Sequence, residues 1–229
     1  MISGRVRRAL LFLPLLLFST ACQQSAAASE TIVRAPLAKV RASEADGLQS
    51  AIFAGGCFWG VEGVFSHVKG VKSAISGYHG GTRARADYKA VSAGRTRHAE
   101  AVKVTYDPAV VRYDQLLRIF FSVTADPTLK NRQGPDIGAH YRAALVPVTA
   151  GQRKVAAAYL RQMEKSGIWK RPVVTGIESY QRFYPAETYH QDFMLKNPRH
   201  PYILRWDAPK VRGLAKLFPK HFQKRFTKG

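Results

Sequence analysis

The stretch Ser50-Ala51-Ile52-Phe53-Ala54-Gly55-Gly56-Cys57-Phe58-Trp59-Gly60 decides how this chain is read. Its first half is a short apolar run that predicts a strand. After the cysteine, Val61, Val64, Phe65 and Val68 recur at helical spacing. Cys57 therefore falls where a strand turns into a helix, and the glycines before it permit a tight turn and the close approach of another molecule. At a helix start a thiolate meets backbone N–H groups that lack intrahelical partners, together with the positive end of the helix dipole. Both lower a thiol pKa. The plainer alternative is a small buried core residue, the ordinary place of a free cysteine. The helix-start position and the aromatic pair Phe58-Trp59 shift the balance toward a nucleophile without closing the question.

Working outward, 229 residues allow one domain or two small ones. A chain that is 46% hydrophobic can bury a sizeable core, which excludes a disordered class. The formal charge of +21 favours anionic surfaces as partners.

Residues 1–21 carry the pattern of a signal peptide: Arg5, Arg7 and Arg8, then an apolar run from Ala9 to Phe18 interrupted by Pro14. That run is too short for a membrane span. Two endings compete. Ser19-Thr20-Ala21-Cys22 resembles a lipobox, with Ser19 where an aliphatic residue is usual, and Ala26-Ala27-Ala28 offers a cleavage site up to about residue 28. The expectation is an exported, bacterial periplasmic protein, either free or lipid-anchored through Cys22. Only two cysteines exist, so either ending leaves Cys57 as the one working thiol. An oxidising compartment makes a lone thiol notable.

Residues 22–47 have little periodicity and read as a flexible tether, so a single domain is expected over 48–229. Strands are expected at 71–78, 99–106, 140–148 and 172–176. Helices are expected at 113–123, 150–165 and 185–194, with a short polar helix or loop over 87–96. An irregular stretch from Asp126 to Ala139 has the length of a functional loop. This order predicts an α+β fold, a two-layer ferredoxin-like sandwich whose mostly antiparallel sheet is flanked by helices. From Lys210 the chain interleaves Lys216, Lys220, Lys224 and Arg225 with Leu214, Leu217, Phe218 and Phe222, which predicts a basic amphipathic helical tail. Its basic face suits an anionic membrane surface.

The seven histidines offer no evident partner for a Cys–His hydrolase. There is no CxxC or HExxH spacing for a metal, and no downstream Gly-Lys-Ser/Thr for a phosphate loop, so neither metal nor cofactor is expected.

A set of blocks in order carries a resemblance. They are Gly56-Cys57-Phe58-Trp59-Gly60, Gly77-Tyr78-His79-Gly80-Gly81, His98-Ala99-Glu100, Asp126-Pro127-Thr128, Asn131 to Gly138 with Tyr141-Arg142, and Phe183-Tyr184-Pro185-Ala186-Glu187. From about Ile52 to Asn197 the chain resembles the peptide methionine sulfoxide reductase A family. The resemblance implies reduction of the S epimer of methionine sulfoxide, free or in proteins. It implies Cys57 as nucleophile, passing through a sulfenic acid, and Glu100 as proton donor. It implies Tyr78 and Tyr141 as donors to the sulfoxide oxygen, Phe58 and Trp59 as the pocket for the substrate methyl, and Asp136 as a supporting residue lining the site. It leaves His190 open. Many members carry further cysteines near the C-terminus, and here none follows Cys57. The tail Asn197-Pro198-Arg199-His200-Pro201-Tyr202-Ile203 resembles the branch without a resolving cysteine. The expected partner is then an external thiol reductant: a small thiol, a glutaredoxin or a thioredoxin-like protein. A monomer that binds no nucleic acid is expected. The rival reading is a basic exported binding module for anionic polymers that works without Cys57.

Overall fold

The computed structural model describes Met1 and residues 32–229. The expected signal peptide, Cys22 and the alternative cleavage site lie outside the described residues.

Strand β1 (Gln49–Gly55) runs through the middle of a six-stranded sheet. Helix α1 (Phe58–Ser66) follows, then β2 (Val71–His79), a short α2 (Tyr88–Ser92) and β3 (Ala99–Tyr106). Helix α3 (Tyr113–Ile119) continues as a wider π-helical turn over Phe120–Thr124. A small hairpin, β4 (Arg132–Gln133) with β5 (Asp136–Ile137), precedes β6 (Ala143–Val146), α4 (Ala150–Glu164), β7 (Gly176–Ile177) and β8 (Tyr184–Pro185). Helices α5 (Phe193–Lys196) and α6 (Ala208–Leu217) end the list.

The sheet order is β7-β6-β1-β3-β2-β8. Its four inner strands, with α1 and α3 as connections, have the split β-α-β order of a ferredoxin-like core. Every pairing is antiparallel except β6 with β7. The α+β expectation therefore holds. Alternation along β3 sorts its side chains. Val102, Val104 and Tyr106 join the main core, which α1, α3 and α4 also enter. Ala99 and Ala101 join a smaller cluster with Ile52, Ala54, Ala144 and Val146 on the opposite face. Glu100 shares the Val102 face and points toward α1. Aromatic packing locks the two layers, with Phe53 of β1 lying 4.7 Å from Phe65 of α1 and 5.3 Å from Phe120.

Some sequence expectations are corrected. Residues 33–44 are not a free tether but lie docked on the domain. Ala35 is fully buried, the Tyr159 hydroxyl donates to the Pro36 carbonyl at 2.8 Å, and Glu44 accepts from the Tyr106 hydroxyl and the Tyr113 N–H. The segment is held by side chains of α4, β3 and α3, so it needs no periodicity of its own. The basic tail is helical only to Leu217, because Pro219 stops it. The chain then returns along the end of α1, where Gln223 and Thr227 N–H groups donate to the carbonyls of His67 and Ser66, both at 2.9 Å. The strand expected at 140–148 shortens to β6 behind a 3-10 turn at Ala139–Tyr141, and that expected at 172–176 is only the brief β7. The helix expected over 185–194 breaks into a turn at Thr188–His190 and α5.

Glu62 of α1 is fully buried. One carboxyl oxygen accepts the Asp192 N–H at 3.2 Å, and the Phe193 and Ser76 N–H groups add only weaker support. Burial pushes its pKa up to about 8. A carboxyl raised on folding favours the folded state when protonated, so its ionisation costs stability progressively as pH rises from the unfolded value near 4.5 to about 8. Glu62→Gln is therefore expected to be stabilising at pH 8 by on the order of 1 kcal/mol or more, and to lose that advantage at pH 4. Denaturant melts of both proteins at the two pH values check this.

Candidate active site

Cys57 is the N-cap of α1, as its sequence position suggests. The Trp59 backbone N–H bonds its sulfur, and the Phe58 N–H donates to Glu100 Oε2 at 3.0 Å. The carboxyl of β3 thus caps the same helix end that carries the thiol. Two glycines make room. Gly56 sits at φ +84°, and a Cβ there would come within 2.5 Å of the Gln133 side chain. Gln133 in turn bonds both the N–H and the carbonyl of Asp126 at 2.9 Å, pinning the hairpin against the turn. At Gly60 a Cβ would meet Asp207 Oδ1 at 2.2 Å. Asp207 is fully buried there, 3.4 Å from Lys210 Nζ.

The electrostatics depart from the sequence expectation for the thiol. Burial raises the Cys57 pKa well above the ordinary thiol range, and the carboxyls of Glu100, Asp207 and Asp136 raise it further. The Trp59 N–H pulls the other way and loses. Glu100 is 2% exposed, and burial pushes its pKa up to about 8; Asp136 and Asp207 add to this and the Phe58 N–H opposes it. Near neutral pH the site holds a thiol and a largely protonated carboxylic acid side by side.

Three half-buried tyrosines surround this pair. The hydroxyls of Tyr88 and Tyr141 are pushed up first by burial, then by Glu100, with Cys57 and Asp136 adding to the effect. Tyr202 donates to Asp136 Oδ2, and its own hydroxyl also feels the Cys57 charge. Tyr78 is not among them. Its ring is fully buried in the core, and its hydroxyl donates to Glu187 at 2.8 Å. The expectation that placed Tyr78 beside a reacting oxygen is corrected: Tyr88 occupies that neighbourhood. Glu187 also accepts the Tyr88 N–H at 2.8 Å, so it joins the core tyrosine to the site tyrosine.

Aromatic rings wall the pocket. Trp59 stacks on Phe193 with centroids 3.6 Å apart, and Tyr202 meets it edge-on at 5.9 Å. His190 packs 4.9 Å from Phe58 and 4.5 Å from Tyr88. Its Nδ1 accepts the Trp59 indole N–H at 3.1 Å, which places the histidine proton on Nε2. Burial lowers its pKa and keeps the ring neutral. The structure thus brings together Cys57, Phe58, Trp59, Glu100, Asp136 and Tyr141. It adds Tyr88, Tyr202 and Asp207, which sequence reasoning missed, and gives His190 a place. Tyr202 lay within the quoted Asn197–Ile203 motif. Tyr88 had only its position after the helix-capping Asp87 as a signal.

A single buried thiol, a neutral acid within the same helix cap and an apolar aromatic pocket define a thiol-based redox site for a small apolar group. The family model described as peptide methionine sulfoxide reductase matches residues 49–222. The chain is 53% identical over 175 residues to a peptide methionine sulfoxide reductase MsrA 2 of Mesorhizobium japonicum, covering 76% of this chain and 90% of that one. It is 51% identical over 174 residues to one from Synechocystis, covering 76% and 81%. Among solved structures, the fold matches Mxr1 of Saccharomyces cerevisiae in reduced form with TM-score 0.60 at 30% identity, over 71% of this chain and 92% of that one. The methionine sulfoxide reductase A of Corynebacterium diphtheriae matches with TM-score 0.57 at 29% identity, over 75% and 84%. The chain belongs to the peptide methionine sulfoxide reductase family.

Alkylation of Cys57 by iodoacetamide, followed against pH in the full chain carrying Cys22→Ser, is expected to show a midpoint above that of a free thiol. Glu100→Gln removes one nearby negative charge and is expected to move that midpoint down. A midpoint below the free-thiol value would show the helix dipole winning over burial. His190→Phe is expected to free the Trp59 indole, costing about 1 kcal/mol of stability and shifting tryptophan emission.

Proposed function

We propose that this chain reduces the S epimer of methionine sulfoxide, free and in proteins, at Cys57. The observation that carries the reading is the shared helix cap, in which the thiol and a protonated Glu100 face one aromatic pocket; family membership supports it. The Cys57 sulfur attacks the sulfoxide sulfur while Glu100 gives a proton to the oxygen, which otherwise leaves poorly. That attack forms an S–S bond. The protonated oxygen then passes from the substrate sulfur to the Cys57 sulfur as the S–S and substrate S–O bonds break, leaving Cys57 as a sulfenic acid and releasing methionine. Cysteine sulfur is oxidised by two electrons and substrate sulfur is reduced by two. Tyr88 and Tyr141 donate hydrogen bonds to the oxygen as charge develops there. Phe58 and Trp59 hold the methyl group, so that only one arrangement about the chiral sulfur brings its oxygen to Glu100. Asp136, bonded by Tyr202, fixes that wall of the pocket.

With no cysteine after Cys57, an external thiol completes the cycle. Two thiol equivalents convert the sulfenic acid to thiol and water and leave as a disulfide. That partner is a small thiol, a glutaredoxin or a thioredoxin-like protein. The proposed setting is the bacterial periplasm after export as a monomer, free or anchored through Cys22, with contact to an anionic membrane. The alternative of a basic module acting without Cys57 finds no support in the comparisons.

Cys57→Ser is expected to abolish reduction of a methyl sulfoxide with dithiothreitol, and retained activity would refute the nucleophile. Glu100→Gln should slow single turnover by about 10²–10⁴-fold. Tyr88→Phe should lower the same rate by about tenfold or more, whereas Tyr78→Phe should act mainly on stability. Non-reducing peptide maps after one turnover should show no Cys22–Cys57 disulfide in the mature protein.

A further inference from the structure

Three segments close around Cys57: residues 82–90 carry Tyr88, residues 129–142 carry Asp136 and Tyr141, and residues 187–205 carry His190, Phe193 and Tyr202. Every exposed charged side chain in them is basic except Asp87, whose carboxylate is engaged by the Ala90 N–H at 2.9 Å. Arg83, Arg85 and Lys89 flank Tyr88. Arg132 pairs with Ile137 across the hairpin, and Arg199 and Arg205 bracket Tyr202. None of these six enters an ion pair among the described residues. The other acids of the same segments are turned to inner work: Glu187 holds Tyr78 and the Tyr88 N–H, Asp136 holds Tyr202, and Asp192 is buried. Exposed apolar side chains lie among the basic ones, with Ile137 71%, Tyr189 59% and Leu204 54% exposed.

Only two of the six have a further contact among the described residues: Arg132 donates to the Gly134 carbonyl at 3.3 Å and Arg205 lies over the Trp206 ring. Like charges around one opening repel each other. Their field attracts anions toward the opening and weakens with salt. Resting on the proposed sulfoxide reduction, we infer that this rim is a docking surface for acidic polypeptides, selecting oxidised methionines flanked by Asp or Glu. The apolar side chains would take the apolar neighbours of such a site. The same three segments wall the methionine pocket, so a polypeptide on either side of a bound methionine must cross them. A small-thiol reductant needs no such rim, and a protein reductant is separated from the substrate by leaving it out of the reaction. A free amino acid carries no flanking side chains, so the preference belongs to peptides alone.

The test is single turnover by the pre-reduced full chain carrying Cys22→Ser, with no reductant present. Three short peptides carry one methionine S-sulfoxide flanked by Glu, Gly or Lys, and N-acetyl methionine sulfoxide is the reference. At low ionic strength the Glu-flanked peptide is expected to react roughly tenfold faster than the Lys-flanked one, as second-order rate constants relative to the reference, since exposed pairs each contribute modestly. In half-molar salt the gap should shrink to about twofold. The combined Arg83→Glu, Arg85→Glu and Lys89→Glu variant leaves three basic and three acidic side chains on the rim and should remove most of the preference. Equal relative rates at low salt would overturn the inference. So would a charge effect seen only in steady state with an acidic protein reductant, which would assign the rim to that partner. Failure to reduce the reference would instead overturn the proposed activity itself.

Discussion

The hydrogen bond from the Phe58 N–H to Glu100 is the contact on which the site depends. It joins the first turn of α1 to β3, satisfying a helix-end donor that has no intrahelical partner. It requires Glu100 to face α1, which the alternation of β3 provides. It also requires α1 to begin directly over the sheet, which the Gly55-Gly56 turn provides. A cysteine at that helix start then stands beside the carboxyl by construction. The hairpin at Gln133 and the buried Asp207 occupy the space the absent glycine side chains leave. Backbone compactness at three glycines and one capping carboxyl thus sets the geometry of everything the pocket contains.

What was legible in the sequence follows from how each part is held. β1, α1, β2, β3 and α4 carry their own hydrophobic period, so their limits are read closely from the residues. The segment 33–44, the hairpin around Gln133 and the run from Thr188 to Asp207 carry none. They are fixed by side-chain hydrogen bonds to partners distant in the chain, such as Gln133 on Asp126, Tyr159 on Pro36 and Tyr202 on Asp136. Local periodicity has no access to such contacts. Glu100 was singled out by the family resemblance and not by its pattern, since a charged residue on a strand ordinarily faces solvent; the structure places it on the buried Val102 face. Tyr78 and Tyr88 show the limit. Tyr78 lies in a conspicuous glycine block and Tyr88 does not, and only the fold reveals that the Tyr78 hydroxyl serves Glu187 while that of Tyr88 feels both Glu100 and Cys57.

The thiol teaches a further distinction. A helix N-terminus lowers a thiol pKa when water and positive charge share the site. At Cys57 the helix contributes one N–H, while the surroundings contribute burial and three carboxyls. Desolvation penalises both the thiolate and the Glu100 carboxylate, so the pair is held in its doubly protonated form and its two protons are coupled.

That form suits the proposed reaction because the reaction consumes no net proton. A thiol and a sulfoxide give a sulfenic acid and a thioether, so the proton leaving sulfur and the proton gained by oxygen balance. Glu100 is placed to serve both ends, giving its proton to the oxygen and regaining the one the thiol gives up. An ionised Glu100 would lack the proton the oxygen needs, and its charge would further oppose the thiolate. Burial therefore does two things at once: it suppresses an idle, oxidisable thiolate, and it keeps the transferable proton in place until a substrate oxygen arrives to receive it.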